Sequence, residues 1–264
     1  TMGDWSSDVC SSDLEGRFHF SYARSEEELL TELTDQVDVV YIETPTNPLM
    51  VEFDIARIAK AAHEKGATVV VDNTFYSPIY QRPLEDGADI VLHSATKYLG
   101  GHNDVLAGAI MTSDAKIYEK LFYQLNTTGA VLSPFDSYML LRGLKTLSLR
   151  MERSTQNALA VVEFLKKSAA VKEVLYPGKG GMISFKVVDE SKIPDLLNNL
   201  KIFTFAESLG GVESLITYPA TQTHADIPVE VRHSYGLTDD LLRLSIGIED
   251  SRDLVTDLQS ALEA

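Results

Sequence analysis

Three short apolar runs constrain the first half of the chain: VDVVYIET (37–44), ATVVVDNT (67–74) and ADIVLHSAT (88–96). Each is rich in β-branched residues and apolar on both faces. A strand with no polar face must be covered on both sides, the condition of a parallel sheet with crossover helices above and below. The first connection supplies such a helix. DIARIAKAAHEKG sets Ile55, Ile58, Ala59 and Ala62 at three- and four-residue spacings, with Asp54 placed to start it and Gly66 to stop it. The second connection, FYSPIYQRPLEDG, is broken by prolines and predicts a loop with a short helical piece. Strand, helix and strand in this order argue for an α/β fold.

Downstream, DVLAGAIMTSD reads as a further strand, and residues 137–168 as a long helical stretch with a possible break at Gly143. A second, smaller α/β domain is expected over 171–264. In it GGMISFKV (180–187) and LLRLSIGIE (241–249) read as strands, and IPDLLNNL and DLVTDLQSALE as helices packed on them. Residues 15–136 would then form a partial large domain and 137–170 the link. The first fourteen residues, TMGDWSSDVCSSDL, have no sustained period and resemble translated sequencing adapter, so they are read as a non-native tail, and Cys10 and Trp5 receive no chemical role. They lack the basic start and apolar middle of a signal peptide.

Charge narrows the function classes. Lys and Arg number 23 against 39 Asp and Glu, a formal charge of -16, and no basic stripe offsets it. Such a surface repels nucleic-acid backbones and anionic membranes. No stretch approaches the roughly eighteen apolar residues of a membrane span. Cys10 is the only cysteine, which excludes an intramolecular disulfide framework and suits a cytoplasmic enzyme. The histidines His63, His93, His102, His224 and His233 show no metal-ligand spacing, and no G-x-G-x-x-G motif supports a nicotinamide site. His93 could line the cofactor region but is read as a hydrogen-bonded structural histidine.

Three polar residues fall on one interval. Asn47 follows the first run, Asp72 sits near the end of the second and Lys97 follows the third, with 25 residues in each gap. In a parallel sheet each unit returns the chain to the same edge, so these side chains should gather at the carboxyl ends of neighbouring strands, where open α/β sheets bind ligands. A lysine amine in such a place can become a nucleophile toward a carbonyl. Pyridoxal phosphate (PLP) matches the surroundings, because it needs an amine for its aldehyde, an acid for its pyridine nitrogen and donors for its phosphate. Lys97, Asp72, and Ser94 with Thr96 could fill those places, and Asn47 could meet the ring hydroxyl. Arg243, in LLRLSIG, could present a planar fork to a substrate carboxylate while Leu242, Leu244 and Ile246 take the other face of their strand. A surface salt bridge is an equal reading of Arg243 alone, and a non-catalytic binding or interaction module is the alternative for the whole chain.

The stretches YIETPTNPLM, VVDNTFYSPIYQRPLEDGADIVLHSATKYLGGHNDVLAG, LRGLKTLSLRMERS, FAESLGGVESLITYPATQTHADIP and LLRLSIGIED resemble the Cys/Met metabolism family of PLP enzymes, from about Glu15 to Leu262. That family contains cystathionine γ-synthase, cystathionine γ- and β-lyases and methionine γ-lyase. The resemblance implies the fold of type I PLP-dependent transferases, like aspartate aminotransferase, and a cytoplasmic homotetramer acting on small amino-acid substrates. It also implies that Lys97 binds the cofactor covalently, that Asp72 meets the pyridine nitrogen, Asn47 the 3-hydroxyl, and Ser94 and Thr96 the phosphate. Ser208 and Arg243 would meet the substrate carboxylate. Glu207 beside Ser208 resembles the γ-synthase and γ-lyase pattern more than that of methionine γ-lyase. The expectation is cystathionine γ-synthase, with a cystathionine lyase or O-acyl-homoserine sulfhydrylase as alternatives. Two departures stand out. Family members carry a further stretch ahead of the segment seen here, with a phosphate-cradling loop and a ring-stacking tyrosine, and many have a longer passage at LYPGKGGMISF.

Overall fold

The computed structural model describes residues 18–263; the expected tail, with Trp5 and Cys10, lies outside them. The first sheet runs in the order β1 (Val39–Glu43), β2 (Thr68–Asp72), β3 (Ile90–Ser94) and β4 (Gly108–Met111). The first three strands are parallel and β4 is antiparallel to β3. A short helix α1 (Glu26–Glu32) precedes the sheet, N-capped by Ser25. The crossover from β1 to β2 is α2 (Ile55–Glu64), capped by the Asp54 side chain and ended before Gly66, whose φ of 81° suits glycine. Its Ile55, Ile58, Ala59 and Ala62 pack on Val40, Ile42, Val69, Val71 and Val91, one face of the sheet. Between β2 and β3 the proline-broken segment contains the one-turn helix α3 (Ser77–Tyr80).

After β4 come α4 (Ala115–Thr128), capped by Asp114, then α5 (Pro134–Leu144) and α6 (Leu147–Leu165). The long helical stretch is thus two helices, as the possible break allowed, but Gly143 stays within α5. A Cβ there would meet the carbonyl oxygen of Gly100 at 2.3 Å, so close approach to that loop explains the glycine.

The second sheet takes the order β5 (Val171–Leu175), β6 (Met182–Val187), β9 (Leu241–Ser245), β8 (Leu215–Thr217) and β7 (Thr204–Phe205). Helices α7 (Ile193–Asn199), α8 (Val229–Ser234) and α9 (Ser251–Leu262) complete the chain. The two faces of this sheet differ. Ile183, Phe185, Ile216, Leu242, Leu244 and Ile246 join a core with α6, α7 and α9. By alternation the opposite face carries Ser184, Arg243 and Thr217, which lie side by side in register across β6, β9 and β8, all buried.

Candidate active site

Parallel pairing brings Glu43, Asp72 and Leu92 level at the carboxyl edge of the first sheet. Asn47 and Lys97 follow β1 and β3 just beyond it, so the three equally spaced residues share one edge. Alternation puts Ser94 on the same face as Asp72. The Asp72 carboxylate accepts from Thr74 N at 2.9 Å and from the Tyr41 hydroxyl at 3.5 Å. Burial first, then Asp72 and Glu43, pushes the Tyr41 phenol well above its usual range, so it stays protonated and donates.

The polar row of the second sheet closes over this edge. Arg243 is 1% exposed, not a surface residue. Its Nη1 donates to Asn47 Oδ1 at 2.8 Å; its Nη2 donates to Thr217 Oγ1 at 2.9 Å and to the Glu207 carbonyl at 2.8 Å. Ser184 Oγ donates to the Pro48 carbonyl at 2.6 Å and so fixes the segment bearing Asn47 against the second sheet. Lys97 Nζ donates to Ser208 Oγ at 3.4 Å, and the Ser208 carbonyl lies 3.5 Å from Arg243 Nη2. A hydrogen-bonded path therefore runs Asn47, Arg243, Ser208, Lys97.

Two predicted residues sit differently from the rest. The Thr96 hydroxyl serves the backbone of Ala107, accepting from its N–H at 2.9 Å and donating to its carbonyl at 3.3 Å. Glu207 meets Arg243 through its main-chain carbonyl, and the residue is exposed. Tyr41, Thr74, Ser184 and Thr217 escaped sequence reasoning. A hydroxyl in an apolar run is a weak signal until pairing shows what it faces. His93 is buried on the face of Val91, but its Nδ1 has no hydrogen-bond partner among the described residues, unlike the hydrogen-bonded histidine expected. Among the described residues no group of three His, Cys, Asp or Glu side chains could hold a metal ion.

The donor set fits PLP: a half-buried amine, a carboxylate and a serine converge at one strand edge, with a buried guanidinium facing them. The Cys/Met metabolism PLP-dependent enzyme family matches this chain over residues 9–263. The chain belongs to that family. It is 54% identical over 245 residues to the cystathionine γ-synthase/O-acetylhomoserine (thiol)-lyase of Bacillus subtilis, covering 93% of this chain and 66% of that protein. It is 54% identical over 222 residues to cystathionine γ-synthase of Haemophilus influenzae, covering 84% and 60%. The chain thus spans just under two thirds of the length of these curated relatives. A B. subtilis cystathionine γ-lyase is 48% identical, over 90% of this chain and 67% of its own. Among solved structures, cystathionine γ-synthase of Xanthomonas oryzae pv. oryzae superposes with a TM-score of 0.94 at 40% identity, over 99% of this chain and 73% of that one. These likenesses establish membership of a PLP-dependent enzyme family and the type I fold. No helix among the described residues is long and apolar enough to cross a membrane.

Proposed function

We propose that this chain carries the lysine-bearing part of a cystathionine γ-synthase, which joins an activated homoserine ester to cysteine. The observation that carries the reading is the path from Asn47 through Arg243 and Ser208 to Lys97, because it sets a carboxylate fork beside a reactive amine. Lys97, Asp72, Ser94 and Asn47 would hold PLP, and Thr96 could help only by turning its hydroxyl from Ala107. When bound, PLP supplies an electron sink for charge developing on the substrate carbons.

The rest falls to the protein. Arg243 and Ser208 hold the substrate α-carboxylate, since a planar guanidinium matches a carboxylate in two bonds. The Lys97 amine takes the proton from Cα. Replacement at the γ carbon needs a second proton removed, from Cβ; once Lys97 has handed the Cα proton on to the bound cofactor its amine is free again, and the same group reaches the adjacent carbon without a second base. Glu207 stands beside Ser208, where an acid favours a polar or cationic distal group over a thioether methyl. The greater identity to the synthases, 54% against 48% for the B. subtilis γ-lyase, supports synthesis over cleavage. The reading also takes 171–264 as the small domain, the working protein as a homo-oligomer and its place as the cytoplasm.

The test is an assay of the protein produced at the length of its relatives. Activated homoserine with cysteine should give cystathionine faster than cystathionine alone gives pyruvate or 2-oxobutyrate. Borohydride treatment should leave a reduced PLP adduct at Lys97, absent in Lys97→Ala. Ready cleavage without synthesis would reject the synthase reading, and an adduct mapped to another lysine would reject the site.

A further inference from the structure

One buried cation grips the loop that bears Lys97. Arg150, on α6, is 6% exposed. Its Nη1 donates to the Tyr98 carbonyl at 2.7 Å, its Nη2 to the Gly143 carbonyl at 2.9 Å and its Nε to Thr146 Oγ1 at 3.1 Å. Tyr98 directly follows Lys97, Gly143 lies in the last turn of α5, and Thr146 starts α6. No carboxylate forms an ion pair with Arg150 among the described residues, and its neighbours are neutral acceptors. A buried charge satisfied by neutral groups alone is expensive to keep inside a protein, and a guanidinium cannot shed it. Joining α5 to α6 would need only Gly143 and Thr146. The third bond reaches 52 residues back in the sequence, to the lysine loop.

That loop is confined on its other side by the second sheet. A Cβ on Gly210 would meet Tyr98 N at 2.8 Å and Lys97 Cβ at 3.2 Å, and a Cβ on Gly101 would meet Arg150 Nη1 at 2.1 Å. Both glycines have positive φ, 74° and 77°, so bare backbone is required twice over. Gly210 N donates to Ser245 Oγ at 2.8 Å, which anchors its segment to β9, the strand of Arg243. The backbone at Lys97 is held between Arg150 and Gly210, and its amine reaches Ser208, two residues before Gly210.

We propose that Arg150 is a positioning residue for Lys97: by fixing the Tyr98 carbonyl it seats the lysine backbone against Gly210 and aims the amine at Ser208. The inference takes from the proposed function only that Lys97 is the reacting lysine.

Competitive acetylation of the chain across a pH series, read peptide by peptide by mass spectrometry, tests it without cofactor. Reactivity of Lys97 is expressed relative to the exposed Lys60 and Lys116. In Arg150→Met the Lys97 ratio should rise by about threefold or more, as a displaced amine swings into water. Arg150→Lys, which keeps the charge and loses the fork, should fall between. Circular dichroism and melting are recorded for both. A folded Arg150→Met with a lower melting temperature but the wild-type Lys97 ratio overturns the proposal. If that variant does not fold, Arg150→Lys decides by the same ratio. Failure of both to fold makes Arg150 a structural residue alone and also overturns it. A borohydride adduct found away from Lys97 would sink the proposed function and leave these ratios standing.

Discussion

His93 shows how close the neutral and charged parts of this site lie. The imidazole is buried in β3, and its Nδ1 has no hydrogen-bond partner among the described residues. Burial lowers its pKa, and the nearby Asp72 carboxylate only partly opposes this. The folded chain therefore keeps His93 neutral to a lower pH than the unfolded chain, which takes up a proton near the ordinary histidine value of about 6.5. Where the unfolded state binds more protons, stability rises with pH. The stability linked to neutral His93 is complete above the unfolded value and is lost as the pH falls through the lowered folded value. Urea unfolding of the wild type and His93→Leu on either side of that window is the measurement. The wild-type midpoint should fall further on acidification than the variant's, and parallel curves would show that His93 does not titrate differently on folding.

Among elements, α9 illustrates how a helix can be fastened by one side chain. Asp257 is buried, and its carboxylate accepts from the backbone N–H groups of Lys201, Ile202 and Phe203 at 2.9, 2.8 and 3.1 Å. These donors end the connection from α7 and start the approach to β7, and Phe203 lies in the core beneath the second sheet. Asp257→Ala leaves three donors without their acceptor and should destabilise the chain by about 3 kcal/mol. Asp257→Asn keeps one oxygen but turns an amide donor toward N–H groups, so it should recover only part of this. Denaturant midpoints at unchanged slope, with faster hydrogen exchange at 201–203, would bear this out; a shift no larger than at an exposed aspartate would not.

The same scale shows what was legible in the sequence. The strands β1 to β3 were readable as short β-branched apolar runs and the helix α2 by the spacing of its apolar residues, and Gly66 marked a stop by its chemistry. The shared edge of Asn47, Asp72 and Lys97 followed from parallel connection alone. Arg243 was ambiguous because the facts that bury it, Ser184 and Thr217 on either side, are set by strand pairing across long sequence gaps. Arg150 was invisible for the same reason. Its partner Tyr98 is adjacent only once α6 packs against the lysine loop.

Across the whole molecule, apolar surface is distributed as if the fold expected company. A parallel sheet is normally covered on both faces, yet opposite α2 the first sheet presents Val39, Tyr41 and Ile110 to solvent. Helix α4 has no buried residue, and Tyr118 and Phe122 stack on each other at 5.9 Å on its exposed side. Phe135, Tyr138 and Leu141 are likewise exposed on α5. Exposed patches of this kind mark contact surfaces, consistent with the proposed homo-oligomer. Association has an opponent in the formal charge of -16, which makes two copies repel. Salt shortens that repulsion to about 8 Å at physiological ionic strength while leaving apolar burial intact. The chain should therefore self-associate in a concentration-dependent way, and added salt should strengthen the association. Light scattering on a sizing column reads both effects directly. Replacing Phe122 and Tyr138 with glutamate should return the mass toward that of one chain without lowering the melting temperature, since neither side chain is buried in the monomer. If the wild type runs as a single chain at every concentration and salt level, these faces do not drive association.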